Sequence, residues 1–346
     1  MPKIVCFGEL LLRMSPSLDR EWIRHASIPV YVGGAELNAA RALARWELPV
    51  KYISAIPDHY LSKEIIDELQ HEKIDTSSIN FSGDRIGIYY LPQGADLKNT
   101  GVIYDRANSS FAQLRPGMID WKNALNDADW FHFSAICPAL NENVVAVCKE
   151  GLEAASKMGL TISIDLNYRS KLWKYGKKPT EVMPDLVKHA NLIMGNIWAA
   201  NDLLGIPVDS NIHDKKSKEA YLEHAGRTSL KIMEQYPSCK IVANTFRFNS
   251  NDGLTYYAAL NNGRRQDVSK EFQTQKVIDQ VGSGDCFMAG LIYGIKHEFD
   301  PQAIINYAAA AAFGKLFEKG DTTTRSAESI LDLLDENYLT QIETSR

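Results

Sequence analysis

The stretch Ile278-Asp-Gln-Val-Gly-Ser-Gly-Asp-Cys-Phe-Met-Ala-Gly290 decides how this chain is read. Gly282, Ser283 and Gly284 make a tight turn of small residues that lets the backbone approach a ligand closely. An apolar run through Phe287, Met288, Leu291 and Ile292 follows at once and reads as a helix. The unpaired N–H groups of that helix's first turn point outward, where an anion would sit. Asp285 stands in the same turn, at the positive end of the helix dipole, which is expected to keep its carboxylate ionised at neutral pH. An anion cradle with a carboxylate beside it suits phosphoryl transfer. The amides would offset charge on the moving group while the carboxylate takes a proton from the attacking hydroxyl. Gly-x-Gly-Asp on its own also describes an ordinary turn with an Asp cap, so the weight falls on the rest of the chain.

The composition is that of a globular protein with a sizeable core: 346 residues, 45% hydrophobic and 23% charged. That length fits one large α/β domain with an appendage as well as two domains. A net charge of −5 without a basic stripe argues against a nucleic-acid partner, and Lys177-Lys178 and Arg264-Arg265 read as solvated loop charges. Cys6, Cys137, Cys148, Cys239 and Cys286 form no C-x-x-C pair and read as small buried hydrophobes in a reducing cytoplasm. The histidines show no metal-ligand spacing. Met1 to Gly8 lacks the apolar run of a signal peptide, and no stretch reaches the length of a membrane span. The expectation is a soluble cytoplasmic protein.

Outward from the motif, apolar runs alternate with helical patterns. Residues 3–8 read as a buried strand that 9–13 continues, and 14–32 as short, partly exposed strands. Gly33-Gly34 then run into an Ala-rich helix over 35–46, whose first turn carries Asn38, both donor and acceptor. A plain strand-to-helix turn reads equally well there. Residues 50–56, 61–71 and 74–81 read as strand, helix and strand, a β-α-β rhythm. It breaks at 86–91 and 101–106, two β-type runs that read as a hairpin. Strand alternation puts Tyr104 and Arg106 on one face, with Tyr89 across the hairpin, a set that suits a polyhydroxylated acid. A generic amphipathic hairpin is the plainer reading.

The rhythm resumes with strands at 129–134, 161–165, 192–194 and 240–245 and helices at 141–158, 198–204 and 216–235. A second hairpin pairs 254–260 with 264–268 around Asn261-Asn262-Gly263. Ligands of such sheets gather at the carboxyl ends of strands, where Asn167, Arg169, Asn196 and Thr245 fall. Helices at 301–319 and 326–335 close the chain. The run Ala308–Ala312 reads as close helix packing, and it would also admit a flat ring. The fold expected is α/β, a doubly wound and mostly parallel central sheet with a small β-sheet lid. Residues 1–10, 34–84 and 108–346 form the main part and 11–33 with 85–107 the lid.

These features resemble the ribokinase-like (PfkB) carbohydrate kinases nearly end to end, and within them the 2-keto-3-deoxygluconate kinases. Asp279-Gln-Val-Gly-Ser-Gly-Asp285, with Phe287 and Ala289-Gly290, is similar to the family's late motif, and Gly33-Gly34 with Asn38 to its early one. Arg85-Ile-Gly-Ile-Tyr-Tyr-Leu91, Val102-Ile-Tyr-Asp-Arg-Ala107 and Asp165-Leu-Asn-Tyr-Arg-Ser-Lys-Leu-Trp173 look like the acid-sugar members. Where neutral-sugar members carry an Asp after the first strand, this chain offers Arg13, and a sugar carboxylate wants a guanidinium.

The resemblance implies an ATP- and Mg²⁺-dependent kinase that makes the 6-phosphate of 2-keto-3-deoxy-D-gluconate. It implies that Gly34, Asn38, Tyr89, Tyr104, Arg106 and Arg169 hold the sugar acid. It further implies that Asn167, Asn196, Thr245 and Gly253 line the nucleotide side, Gly282, Ser283 and Gly284 form the anion hole, and Asp285 is the base. Two departures stand out. Gln280 replaces the usual Thr, which puts a monovalent-cation site in doubt, and Ala199 replaces a glutamate that organises magnesium in relatives. The metal ligands are therefore not assigned. Exposed strand edges on the lid point to a homo-oligomer formed through it. The alternatives are a fructokinase- or ribokinase-like enzyme, or a catalytically silent sugar- or nucleotide-binding regulator. An NAD enzyme is disfavoured, since no G-x-G-x-x-G follows a strand and no Walker motif is present.

Overall fold

The strand Lys3–Phe7 shows how the main sheet is built. Ile4 and Cys6 pack into one core and Val5 and Phe7 into the other, all fully buried, as a parallel strand covered on both faces requires. The computed structural model describes residues 1–17, 22–24, 27–93, 101–215, 217–250 and 253–334. From Ile74–Asp75 the main sheet runs through Val50–Ile53, Lys3–Phe7, Ala128–Ser134, Thr161–Asp165 and Leu192–Gly195 to Ile241–Ser250, every pair parallel. Gly253–Asn261 then adds antiparallel, followed by Gln266–Val268 and Phe272–Thr274 on its far side. Helices Ala35–Arg45, Tyr60–His71, Ser283–Lys296 and Pro301–Lys315 cover one face, and Glu142–Lys157, Pro179–Val187 and Ile197–Leu204 the other. Mixed α/β with a large, mostly parallel sheet is thus the observed class.

A separate four-stranded sheet stands apart, ordered Val30–Gly33, Leu11–Met14, Gly87–Tyr90, Ile103–Asp105. Its strands fall inside 11–33 and 85–107, and the 9–13 run leaves the main sheet to join it rather than continuing Lys3–Phe7. Tyr89 pairs with Tyr104 in the expected hairpin. Part of its connection, 94–100, lies outside the described residues.

Other expectations shift in detail. The 50–56 run divides into Val50–Ile53 and Ala55–Ile56, and 74–81 into Ile74–Asp75 and Asn80–Phe81. Ala55–Ile56 and Asn80–Phe81 form a two-stranded sheet of their own. The 240–245 strand extends to Ser250 because Gly253–Asn261 folds back along all of it. The helix expected over 326–335 is Ala327–Asp332, and position 335 lies outside the described residues. All five cysteines are free and buried. Among the described residues, no helix is long and apolar enough to cross a membrane.

Candidate active site

Helix Ser283–Lys296 begins at Gly282, whose φ of 79° is left-handed and whose side-chain-free Cα lies against the Asp321 carbonyl. A Cβ at Gly282 would stand 1.8 Å from that oxygen, so no other residue fits without moving the loop. The helix has no side-chain cap, whereas Glu142–Lys157, Ile197–Leu204 and Lys218–Gln235 are capped by Asn141, Asn196 and Ser217. Its first amides therefore remain available to an anion. The Ser283 hydroxyl turns away and donates to the Ala312 carbonyl at 2.9 Å, so at this position only the backbone faces a ligand.

Asp285 follows in the third helical position, and its Oδ2 accepts from Asn38 Nδ2 at 2.7 Å. Asn38 comes from helix Ala35–Arg45, which likewise starts on a glycine without a side-chain cap, Gly34 at φ 133°. A Cβ on Gly34 would meet the Glu9 carbonyl at 2.2 Å. Burial pushes the Asp285 carboxyl well up, with Asp165 and Glu36 adding to it, while Asn38 and Arg169 pull the other way. This differs from the sequence expectation of a carboxylate held ionised by the helix dipole. Desolvation and two neighbouring carboxylates, which a single motif does not reveal, outweigh it. A base gains from the shift, since proton abstraction is most efficient when its pKa approaches the working pH.

One cavity of about 800 Å³ opens over this turn. Its wall includes Gly34, Asn38, Tyr89, Tyr104, Arg106, Asn167, Arg169, Asn196, Thr245, Gly282, Ser283, Gly284 and Asp285, from both the small sheet and the carboxyl ends of the main strands. Arg106 is buried and held by Glu9, with Nε at 2.6 Å and Nη2 at 2.5 Å from Glu9 Oε2, while the Ser109 hydroxyl donates to the other oxygen. Asn38 Oδ1, Arg106 Nη1, Asn167 Oδ1 and Gln280 Oε1 are buried with no hydrogen-bond partner among the described residues, and all four residues line the cavity. Unsatisfied groups that converge on one space are the mark of a ligand site.

The pfkB family carbohydrate kinase profile matches residues 1–232 and 250–327. The chain belongs to the PfkB family of carbohydrate kinases. Its structure is similar to that of 2-dehydro-3-deoxygluconokinase from Thermotoga maritima, with a TM-score of 0.86, 32% identity and coverage of 96% of this chain and 98% of that one. A 2-dehydro-3-deoxygalactonokinase of Haloferax volcanii is 35% identical over 172 residues, which span 49% of this chain and only 54% of that protein. A 5-dehydro-2-deoxygluconokinase of Clostridium botulinum is 24% identical over 322 residues, 90% of this chain and 86% of that protein.

Two expected residues of this PfkB kinase stand elsewhere. Gly253 is not on the cavity wall. It opens the strand Gly253–Asn261 at φ 116°, where a Cβ would stand 2.3 Å from the Thr274 carbonyl, so its smallness serves strand packing. Arg13 is wholly buried and bonded to Asp279 and Asp321, which removes it as a guanidinium for a sugar carboxylate. The Ala308–Ala312 run is also fully packed and off the cavity. Conversely, the wall includes Asp165, Lys171, Trp198, Asp202 and Arg247, which sequence reasoning did not select. Asp165 and Lys171 lay within reach of it, bracketing the chosen Asn167 and Arg169. Asp202 and Arg247 lie inside regular elements, where sequence gives no sign of which face meets a ligand.

Proposed function

We propose that this PfkB kinase transfers the γ-phosphoryl group of ATP to the terminal hydroxyl of 2-keto-3-deoxy-D-gluconate, giving the 6-phosphate and ADP. The observation that carries the reading is the Asn38–Asp285 pair beside an uncapped glycine turn, on one cavity with Arg106 and Arg169. Asp285 accepts the hydroxyl proton, and the sugar oxygen forms its bond to the γ-phosphorus as the bond to the β-phosphate oxygen breaks. The amides of 282–284 offset charge on the moving group. Asn38 orients the base, and the two guanidinium groups offer the sugar carboxylate its counter-charge. The three relatives named above all act, by their names, on keto-deoxy sugar acids, which supports the acid-sugar reading.

ATP would lie along Asn167, Asn196 and Thr245. The donor set fits Mg²⁺: Asp165 and Asp202 carboxylates and the Asn167 and Asn196 amides line the wall, and this ion leans mainly on nucleotide phosphates and its own waters. A magnesium ion held there would offset charge on the phosphates. The small sheet, with 11–33 and 85–107, would act as a lid that excludes water, so that the sugar rather than water is phosphorylated. Its outer face would join two copies in a homo-oligomer.

One observation favours a second reading. Glu9 already neutralises Arg106, which weakens its draw on a carboxylate and leaves room for a neutral sugar such as fructose. ATP consumption measured against ketodeoxygluconate, its galacto epimer, fructose, ribose and adenosine decides between them. The acid sugars should give the highest kcat/KM, and equal or better turnover of a neutral sugar would sink the acid assignment. Arg106→Ala should raise KM for the acid far more than for any neutral sugar.

A further inference from the structure

Tyr31, Arg13, Tyr89 and Tyr104 form one row across the small sheet, each paired with the next in register. The Arg13 guanidinium lies 4.5 Å from the centre of the Tyr31 ring, and the Tyr89 and Tyr104 ring centres are 6.4 Å apart. Tyr89 and Tyr104 line the cavity and Arg13 does not. Arg13 Nη2 donates to Asp279 Oδ2 at 2.6 Å and Nη1 to Oδ1 at 3.3 Å, while Nε lies 2.8 Å from Asp321 Oδ1.

Both carboxylates hold the loops around the glycine turn. Asp279 sits three residues before Gly282; its Oδ1 accepts from the Val281 amide at 3.1 Å and its Oδ2 from the Gly320 amide at 3.3 Å. Asp321 accepts the Tyr89 hydroxyl at 2.9 Å, and its own carbonyl is the atom against which Gly282 is packed. Burying a guanidinium with two carboxylates adds little stability over well-packed apolar side chains, so fold stability accounts poorly for this arrangement. Its geometry has a more specific consequence. The strand row that lines the cavity with Tyr89 and Tyr104 is tied, through the Arg13 side chain, to the two loops around the glycine turn.

We propose that Arg13 is a positioning residue for phosphoryl transfer, coupling the seating of the sugar on the lid to the aim of the 282–284 amides. The inference rests on the kinase reading above and concerns the same site. Tyr89 reinforces the link, since it touches the cavity with its ring and Asp321 with its hydroxyl. A sugar that settles Tyr89 and Tyr104 settles Arg13 with them, and Asp279 and Asp321 follow.

Arg13→Lys keeps the charge but cannot bond both carboxylates in this geometry. Steady-state kinetics should show kcat lower by about 10²-fold, the scale of a small misplacement of catalytic groups. KM for sugar and for ATP should change little, and thermal unfolding should stay cooperative. Asp321→Asn, nearly isosteric, can still accept from the Tyr89 hydroxyl but loses the charge that pairs with Arg13 Nε, and should give the same split to a smaller degree. Wild-type kcat in both variants overturns the proposal, and so does a rise in KM that matches the loss of kcat, the result of a merely structural role. If Arg13→Lys does not fold, Asp321→Asn decides by the same criterion. Wild-type enzyme that ignores the acid but phosphorylates a neutral sugar would refute the substrate assignment alone. The kcat-against-KM split is then read on that neutral sugar.

Discussion

At the scale of single residues, Asp285 is where the chemistry can be tested most directly. Asp285→Asn keeps the shape and the contact with Asn38 but removes the proton acceptor. General-base contributions of about 10²- to 10⁴-fold set the expected loss in kcat, with sugar and ATP binding measured by calorimetry nearly unchanged. Retained turnover would reject Asp285 as the base. The sign of the pH dependence follows from its environment. Burial, then Asp165 and Glu36, raise the carboxyl well above its ordinary value, and only the ionised form can accept a proton. The acid limb of kcat/KM should therefore fall at a pH distinctly above the usual carboxylate range, and it should vanish from the residual activity of Asp285→Asn. A limb at an ordinary carboxylate pKa would contradict that electrostatic account. The placing of Asp285, Asn38 and the glycines at two helix starts was legible in the sequence because a glycine turn running into a helix is a local backbone pattern. Arg13 was misread and Glu9 passed over for one reason: the partner of a buried charge is set by tertiary contacts, for Arg13 with Asp279 and Asp321, each more than two hundred and sixty residues away, and for Glu9 with Arg106.

At the scale of elements, the aim of the 282–284 amides depends on how two helices pack. A Cβ added to Gly290 would stand 2.7 Å from the Ala308 Cα, a backbone atom that cannot give way. The Ser283 hydroxyl and the Cys286 thiol bond to the carbonyls of Ala312 and Ala311, so Ser283–Lys296 is keyed to Pro301–Lys315 along its first turns. Gly290→Val should cost about 1–3 kcal/mol in urea unfolding by overpacking, and should lower kcat as the helix tilts from the cavity. Unchanged stability would show that this contact is softer than its spacing implies. The small-residue run Ala308–Ala312 announced such packing in the sequence, and the two β-type runs 86–91 and 101–106 announced the hairpin. Helix Pro179–Val187 did not announce itself, because Pro184 sits inside it and proline argues against a helix interior. The two-residue strands at Ala55–Ile56 and Asn80–Phe81 were hidden inside longer apolar runs, since periodicity does not show where a chain changes sheets.

At the scale of the whole molecule, the small sheet has two unlike faces. The inner one carries the Tyr31–Arg13–Tyr89–Tyr104 row; strand alternation places Val30, Met14, Tyr90 and Ile103 on the outer one, where they again align in register. Val30 is 50% exposed and Ile103 52%, and both lie on the outermost strands of that sheet among the described residues. Trp22 stacks on Tyr90 with ring centres 6.4 Å apart, which leaves Val30 and Ile103 as the exposed apolar ends of the row, and such ends on strand edges self-associate unless they are covered. A second copy applied to it would also hold the sheet against the cavity and keep the cavity-lining Tyr89 and Tyr104 in place. Light scattering coupled to size exclusion should report a homo-oligomer at micromolar protein, and Ile103→Asp should shift it toward monomer without lowering the unfolding temperature of the main domain. The dissociated variant should show a higher KM for the sugar and a smaller change for ATP, whose proposed groups, Asn167, Asn196 and Thr245, lie at strand ends of the main sheet. A wild-type monomer, or an Ile103→Asp variant that stays assembled with unaltered kinetics, would sever the connection between this face and the site beneath it.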